Sequence, residues 1–345
     1  MAFRFRFRFS RAFCLITFYF LLLTLSSAAE PDLSRFTFTQ PHMGTEFKIV
    51  IYAANQAEAD RATQAAFERI AEFDRIMSDY RPTSELMRLC QKAGGEPVKV
   101  SEELFAVLAK AQEVSKLSDG AFDVTVGPIV KLWRLSFRSQ RLPDKDKLAK
   151  ALDLVGYQKI HLDAKARTVK LDKAGMQIDL GGIAKGYAVD EALAVLAKHG
   201  ITRALVAASG DIAVSGSPPN AEGWSIAIAP LEGREAKPAK TLLLHDAAVS
   251  TSGDAEKYVE IEGKRYSHIV DPRTGLGLTQ RMSVTVVARH GITADSMTKV
   301  VCVLGPEKGM PLIDKTDGVA AFMVRKTAKG AETFSSKEYK NRFEK

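Results

Sequence analysis

The chain has 345 residues, of which 46% are hydrophobic and 26% are charged, and its formal net charge is +8. This balance is typical of a globular protein with a sizeable core and excludes a largely disordered chain. The sequence has no basic run with interleaved aromatic residues, so the positive charge does not indicate nucleic-acid binding.

The first 29 residues differ in composition from the rest. Four arginines and no acidic residue precede an apolar run over residues 12–25, and small residues follow. This pattern predicts a signal peptide at residues 1–29, cleaved after Ala29, whereas the run is short for a membrane anchor. Cys14 lies too early to be lipidated, so no lipobox is recognised. We therefore predict a soluble periplasmic protein with residues 30–345 as its mature domain.

Helices dominate the first part of the predicted mature chain. A strand over residues 47–52 precedes a helix over residues 56–77, for which Asn55 has capping-box spacing. Ser101 is placed to cap a second amphipathic helix. Residues 134–150 are polar and basic and predict a surface segment.

A glycine turn lies at the centre of the chain. Residues 176–180 predict a short strand, and a helix begins at Ile183, so Gly181 and Gly182 lie at a helix N-terminus. Free N–H groups and the helix dipole suit a phosphate there, and Lys185 adds a cation. The alternative is that the glycines only allow close packing.

Strands dominate the remainder. The predicted strands are rich in apolar residues, and they cover residues 159–163, 167–171, 204–208, 224–229, 241–244, 258–261, 265–270, 283–288 and 319–324. Helices are predicted at 294–303 and 307–315, and the polar tail after Lys326 is predicted to fray. Together these elements predict an α+β fold, a single two-lobed body with mixed or antiparallel strands flanked by helices and a ligand cleft between the lobes.

Eight short polar or glycine-containing segments lie at the ends of predicted elements, where loops converge on a ligand. In content and order they resemble the FAD:protein FMN transferases of the ApbE type, and the resemblance covers roughly residues 40–325. The segments read HMGT (42–45), MSDYRPTSEL (77–86), SDGAFD (118–123), DLGGIAKGY (179–187), SGD (209–211), VSTSGD (249–254), SHIVDPRTG (267–275) and TAD (293–295).

The resemblance implies a Mg²⁺-dependent transferase that moves FMN from FAD to a Thr or Ser hydroxyl of an acceptor protein and releases AMP. It also implies an exported or membrane-bound redox subunit as the acceptor. Two alternatives stay open, an FAD pyrophosphatase and a non-catalytic periplasmic flavin-binding protein, because water and a protein hydroxyl would meet the same cleft.

The resemblance further implies roles for single residues. Positions similar to those that contact FAD in the family are Met43, Tyr80, Asp119, Gly120, Ala121, Asp179, Lys185 and His268. His268 and Asp295 match catalytic positions, and Asp295 with the backbone carbonyl of Gly182 matches the Mg²⁺ ligands. Hard oxygens suit Mg²⁺, and a histidine suits proton acceptance near neutral pH.

Several of these residues also have plain structural interpretations. Met43 and Tyr80 are suited to a core, and His268 beside Ile269 is suited to a satisfied core histidine. Asp271 is suited to a turn in which its side chain bonds its own backbone.

Lys299 is the clearest departure from the family pattern. The usual pattern places a Thr four residues after the metal aspartate, whereas Asp295 is followed there by Lys299, with Thr298 one position earlier. Three outcomes are open: Thr298 or water fills the metal shell, Lys299 itself neutralises the pyrophosphate, or the site is inactive. The intact Asp295 and Gly182 favour a retained but weaker Mg²⁺ site, with Thr298 as a doubtful ligand.

A second enzyme class shares one motif with the chain. Ser296 and Lys299 fit S-x-x-K, and residues 273–275 resemble K-T-G, as in penicillin-binding proteins and class A β-lactamases. The order is reversed and no S-D-N lies between the two motifs, so this class is disfavoured.

Overall fold

A computed structural model describes residues 1, 32–229, 231, 240–253 and 257–344. The chain divides into two units by its contacts, Met1–Asp32 and Leu33–Lys345, and every element below belongs to the second. Residues 2–29 of the predicted signal peptide and Asp254 of the 249–254 segment lie outside the described residues. None of the helices in these described ranges is both long enough and apolar enough to cross a membrane.

Eight helices form in the described part of the chain. They are α1 (Gln56–Met77), α2 (Glu85–Gln91), α3 (Glu102–Leu117), α4 (Gly127–Ser139), α5 (Lys145–Leu154), α6 (Ala184–Lys198), α7 (Gly291–Ile313) and α8 (Lys337–Phe343). The predicted cap of α1 is present, because the Glu58 N–H donates to Asn55 Oδ1 at 2.9 Å. A non-helical residue, Gly305, divides α7 into two stretches, which agrees with the two helices predicted there.

Fifteen strands form in the same described ranges. They are β1 (Ser34–His42), β2 (Thr45–Ala53), β3 (Val98–Lys99), β4 (Ile160–Asp163), β5 (Thr168–Leu171), β6 (Ala204–Ala208), β7 (Asp211–Ser215), β8 (Trp224–Ile228), β9 (Lys240–Leu244), β10 (Ala247–Gly253), β11 (Tyr258–Ile261), β12 (Lys264–Ser267), β13 (Met282–Ala288), β14 (Ala320–Thr327) and β15 (Gly330–Ser335). An eight-stranded sheet has the order β1-β2-β6-β7-β10-β13-β14-β15. Every described strand pair is antiparallel, and the predicted α+β class is confirmed. The division into two lobes stays a prediction.

The inner strands of the large sheet are buried on both faces. Successive side chains of a strand point to opposite faces, so Ile49 and Ile51 of β2 join one core while Val50 joins another. The first core packs against α1, α6 and α7, and the second lies under β8, β9 and α8. Because both faces are covered, the sheet can hold polar residues at fixed depths inside the protein.

Helices α6 and α7 cross at two glycines. A side-chain carbon on Gly186 would lie 2.1 Å from the carbonyl oxygen of Gly291, so only glycine allows this approach. Asp190 of α6 then binds the start of α7, accepting the N–H groups of Gly291 at 2.6 Å and Ile292 at 3.0 Å. The crossing is thus fixed by close contact and by a helix cap supplied from the neighbouring helix.

One predicted strand differs from the structure, and some strands form where none is predicted. Residues 176–180 alternate buried and partly exposed side chains but form no strand, since the Asp179 N–H donates to the Val124 carbonyl and the Ile178 N–H to Cys90 Sγ. Residues 134–150, predicted as a polar surface segment, are mostly exposed, and they lie largely in α4 and α5, whose apolar faces pack with β11 and β12. Residues 211–215 and 247–253, for which no strand is predicted, form β7 and β10 inside the large sheet.

The tail after Lys326 does not fray. It forms β15 and α8, and Tyr339 of α8 is 0% exposed, stacked on Phe322 with ring centroids 5.3 Å apart. The prediction from polar composition was wrong because an aromatic residue, Tyr339, anchors the tail in the second core.

Tyr339→Ala should lower the free energy of unfolding by about 3–5 kcal/mol, because it removes a fully buried ring and leaves a cavity. Urea denaturation measures this change. Tyr339→Phe is the matched control, since the hydroxyl has no hydrogen-bond partner among the described residues, and it should be neutral or slightly stabilising. Equal stability of the alanine variant and the wild type would mean that α8 does not anchor the tail.

Candidate active site

A buried lysine–carboxylate cluster lies at the start of α6. Lys185, in its first turn, binds Asp211 Oδ2, and its Nζ is 3.9 Å from Asp295 Oδ2. Asp211 is also buried, and its Oδ1 accepts the Ser250 hydroxyl at 2.6 Å. Burial opposes the charge of Lys185, but Asp295 and Asp211 outweigh it and raise the lysine pKa above its ordinary value. Lys185 is therefore a permanent cation held at a helix N-terminus.

Asp295 of α7 is 0% exposed. Its Oδ1 binds the Lys299 ammonium, and its Oδ2 accepts the Gly186 N–H at 3.1 Å. Burial would raise its pKa, yet Lys185 and Lys299 have the larger combined effect and hold the pKa below its ordinary value. The carboxylate therefore stays ionised.

The hydroxyl of Thr298 is directed away from the Asp295 carboxylate. Its Oγ1 lies 2.7 Å from the backbone carbonyl oxygen of Asp295 and 2.9 Å from Ser252 Oγ on β10. Lys299 lies on the other side, where its Cγ would be 3.4 Å from a side-chain carbon placed on Gly182. The aliphatic stem of Lys299 thus packs on the glycine turn while its ammonium reaches Asp295.

The predicted Mg²⁺ ligands can be tested against this arrangement. Mg²⁺ requires close to octahedral oxygen ligands, and an ammonium cannot be one of them. Both oxygens of Asp295 already carry cationic or N–H donors, and the described residues contain no group of three or more His, Cys, Asp or Glu side chains suited to a metal. As they are arranged, Gly182, Asp295 and Thr298 do not fit a Mg²⁺ shell, because Lys299 lies where the ion would contact the carboxylate.

His268 is exposed, so the alternative of a core histidine is wrong. Its Nδ1 lies 3.0 Å from the carbonyl oxygen of Lys257, which assigns the proton to Nδ1 and leaves Nε2 as an acceptor. Although His268 keeps an exposed face, desolvation of its ring by the surrounding protein disfavours the imidazolium form, and the charges of Lys257, Lys299 and Lys185 act in the same direction. Together they lower the pKa of His268 to about 4. The ring is therefore neutral near pH 7.

A second cluster surrounds Tyr80. The Tyr80 side chain is 75% exposed, and the guanidinium carbon of Arg134 lies 4.1 Å from its ring centroid. Arg134 also binds Asp79 at 2.6 Å and Asp179 at 3.2 Å. Burial and the neighbouring Asp79 raise the pKa of Asp179 above its ordinary value. Tyr80 therefore presents one open ring face on a rigid charged support, and the alternative of a core position is wrong.

The remaining predicted FAD contacts lie in tight turns. Met43 has φ 49° and Asp119 has φ 50°, a left-handed conformation that is uncommon outside glycine. Met43 is half-buried against the first core, whereas Asp119 is exposed and acts electrostatically on Arg273. Gly120 and Ala121 continue the second turn, and Ala121 is buried. Nothing in the described contacts joins these turns directly to the lysine cluster.

Residues of two other motifs form local structural contacts. Ser296 donates its hydroxyl to the Ile292 carbonyl at 2.8 Å within α7 and is fully buried, which is unsuited to a nucleophile. Asp271 accepts the backbone N–H of Arg273 at 2.9 Å, as predicted for a turn.

The site also contains residues for which no individual role is predicted. Asp211, Ser250 and Ser252 lie in the conspicuous segments 209–211 and 249–254, so a signal for them was present. Arg134 had no comparable signal, because its partners Asp79 and Asp179 are distant in sequence.

The fold and the site define an α+β protein with a buried lysine–carboxylate cluster at a helix N-terminus, a class of site suited to a phosphate-bearing ligand. The ApbE family matches residues 43–323. The chain therefore belongs to the ApbE family.

Individual relatives agree with this assignment. A Vibrio cholerae protein named FAD:protein FMN transferase is 33% identical over 323 residues, covering 92% of this chain and 96% of that protein. A Treponema pallidum protein of the same name is 34% identical over 297 residues, 82% of each chain. The structure of flavin transferase ApbE from Vibrio cholerae has a TM-score of 0.82 at 30% identity, covering 90% of this chain and 100% of that one. The ApbE protein from Thermotoga maritima has a TM-score of 0.80 at 28% identity, with 90% and 99% covered.

Arg134→Gln should lower the free energy of unfolding by about 1–3 kcal/mol at pH 8, because Asp79 and Asp179 would then face each other without a cation. Loss of the cation raises the pKa of one carboxyl further, so the deficit should shrink between pH 8 and pH 5 as that carboxyl is protonated. Urea denaturation at both pH values measures this. Arg138→Gln, at an exposed position of α4, is the control and should show no deficit. A deficit independent of pH would contradict the electrostatic account.

Proposed function

We propose that this chain transfers FMN from FAD to a Thr or Ser hydroxyl of an acceptor protein and releases AMP. The observation that carries the proposal is the buried cluster of Lys185, Asp211 and Asp295, within electrostatic reach of a histidine whose Nε2 is able to accept a proton. Membership of the ApbE family, with relatives named FAD:protein FMN transferase, supports it.

The reaction exchanges a phosphoanhydride bond for a phosphate ester bond. The acceptor hydroxyl oxygen attacks the FMN phosphorus, and the bond from this phosphorus to the bridging oxygen of the pyrophosphate breaks. AMP leaves with the bridging oxygen, and the hydroxyl proton goes to Nε2 of His268. The product is a phosphodiester between FMN and the acceptor, and no atom changes its oxidation state.

Each part of the site has a task in this reaction. Lys185 and the N-terminus of α6 bind the pyrophosphate and take up its charge. Tyr80, supported by Arg134, offers a ring face for one flat heterocycle of FAD. Asp179, which binds Arg134, lies at the opposite end of the glycine turn from Lys185. One short segment therefore connects the phosphate-binding lysine with the support of the Tyr80 ring. No step is assigned to Mg²⁺, because the carboxylate expected to hold it is bound by Lys299.

The cellular setting forms part of the proposal. The N-terminal composition supports export to the periplasm with cleavage after Ala29, where an exported or membrane-bound redox subunit is the acceptor and nucleic acid is not a partner. N-terminal sequencing of the protein from a periplasmic fraction should begin at Glu30. A full-length protein in the cytoplasmic fraction would contradict it.

His268→Ala should lower the rate of FMN transfer roughly 10²–10⁴-fold while leaving FAD affinity near that of the wild type. In-gel flavin fluorescence of the acceptor and AMP release measure the rate. Since the pKa of His268 is about 4, the wild-type rate should stay level from about pH 8 to about pH 5.5 and fall at lower pH as the ring is protonated.

His161→Ala, which changes an exposed histidine in the β4–β5 hairpin, is the control for the His268 variant. Loss of FAD affinity and rate in parallel would assign His268 to ligand binding instead of proton transfer. AMP release at full rate without any acceptor would identify an FAD pyrophosphatase.

Tyr80→Ala should weaken FAD binding by about 1–3 kcal/mol, the range measured for stacking of a base on an aromatic ring. Tyr80→Phe keeps the ring and should bind FAD as the wild type does. Quenching of flavin fluorescence gives both affinities. If the two variants bind FAD equally, the ring face does not contact the ligand.

A further inference from the structure

Lys299 occupies a restricted position in the site. Its Nζ binds Asp295 Oδ1 one helical turn away, and its stem packs on the Gly182 turn opposite the Phe122 ring. The side chain is only 17% exposed, so it does not extend into solvent as surface lysines commonly do. The ammonium is therefore held between the buried carboxylate and the glycine turn.

The charges of the cluster already balance. Asp211 and Asp295 each carry one negative charge, and Lys185 and Lys299 each carry one positive charge. A divalent cation added at Asp295 would lie beside the Lys299 ammonium, and the two like charges would repel each other in a poorly solvated place. A bound pyrophosphate, by contrast, would bring oxygen acceptors for the N–H groups that the two ammonium groups do not use on Asp211 and Asp295.

Thr298 offers no substitute ligand in this arrangement. Its hydroxyl lies at hydrogen-bond distance from the Asp295 backbone carbonyl and from Ser252, on the side of α7 that faces β10. A metal shell here would need Lys299 to leave the carboxylate and Thr298 to turn from both of these partners.

From this geometry we infer that the Lys299 ammonium takes the place of a divalent cation, so that FMN transfer by this chain needs no metal. The inference rests on the proposed function. One N–H of Lys299 binds Asp295, and the others donate hydrogen bonds to the pyrophosphate oxygens as AMP leaves. Lys299 keeps its proton throughout, so the bonds made and broken are those of the transfer reaction above. It acts as a catalytic residue through its charge.

The first test compares metal-free rates. Wild-type protein stripped of metals and assayed in excess EDTA should transfer FMN at the rate measured with added Mg²⁺. Lys299→Met removes the charge and should lower this metal-free rate roughly 10²–10³-fold. Lys308→Thr, at an exposed position in the second stretch of α7, is the matched control and should not change the rate.

The second test asks whether a metal site returns when the ammonium is removed. Lys299→Thr should bind Mn²⁺ in a saturable way by electron paramagnetic resonance titration, and its FMN transfer should require Mg²⁺. The wild type should show no saturable Mn²⁺ binding at the same concentrations. Thermal unfolding of each variant shows whether it is folded.

Two results would overturn the inference: loss of wild-type FMN transfer in EDTA with recovery in Mg²⁺, or Mn²⁺ binding by the wild type as tight as that of Lys299→Thr. A failure of the proposed function looks different, since FMN would not reach the acceptor with or without Mg²⁺. The Mn²⁺ titration still tests whether Lys299 excludes a divalent cation in that case, because it needs no turnover.

Discussion

The structure depends on the burial of one ionised carboxylate, Asp295, at the crossing of α6 and α7. A charge buried this deeply is stable only with cations and hydrogen-bond donors around it. Lys185, Lys299 and the Gly186 N–H supply them. The Gly186 N–H reaches the carboxylate because neither helix has a side chain at the crossing. The close crossing of α6 and α7 and the charge balance around Asp295 therefore depend on each other.

The segment between Asp179 and Lys185 links the two polar clusters. At one end Asp179 joins Arg134 and the open face of Tyr80, and at the other end Lys185 joins the buried carboxylates. FAD has flat rings at its ends and a pyrophosphate between them, so a short rigid link between a ring platform and a cationic site suits its shape. The same segment packs on Lys299 through Gly182, which connects the link to α7.

Short sequence patterns predicted the helices and strands that are specified by residues close together in the chain. The cap at Asn55, the apolar stripe of α1 and the apolar run of β2 are all visible in sequence and present in the structure. Residues 176–180 show the limit, because they look like a strand in sequence but bond to Cys90 of α2 and to Val124 instead of pairing with another strand. The order of motifs identified the family and many candidate positions. It could not show that Arg134 lies beside Tyr80, or that Lys299 lies on Asp295 and not in solvent, because those are facts of three-dimensional contact.

Strand β10 lies inside the large sheet and carries hydroxyl groups that need hydrogen-bond partners. Its hydroxyls pair with three different elements: Ser250 with Asp211 of β7, Thr251 with Thr285 of β13, and Ser252 with Thr298 of α7. An engineer seeking a more heat-resistant protein would ordinarily replace such residues with valine or isoleucine, since these suit a buried strand. Here that exchange would remove the partners that hold Asp211 and α7 in place. Thermostabilisation of this fold must therefore be sought at its surface and in its second core, and β10 has to be left as it is.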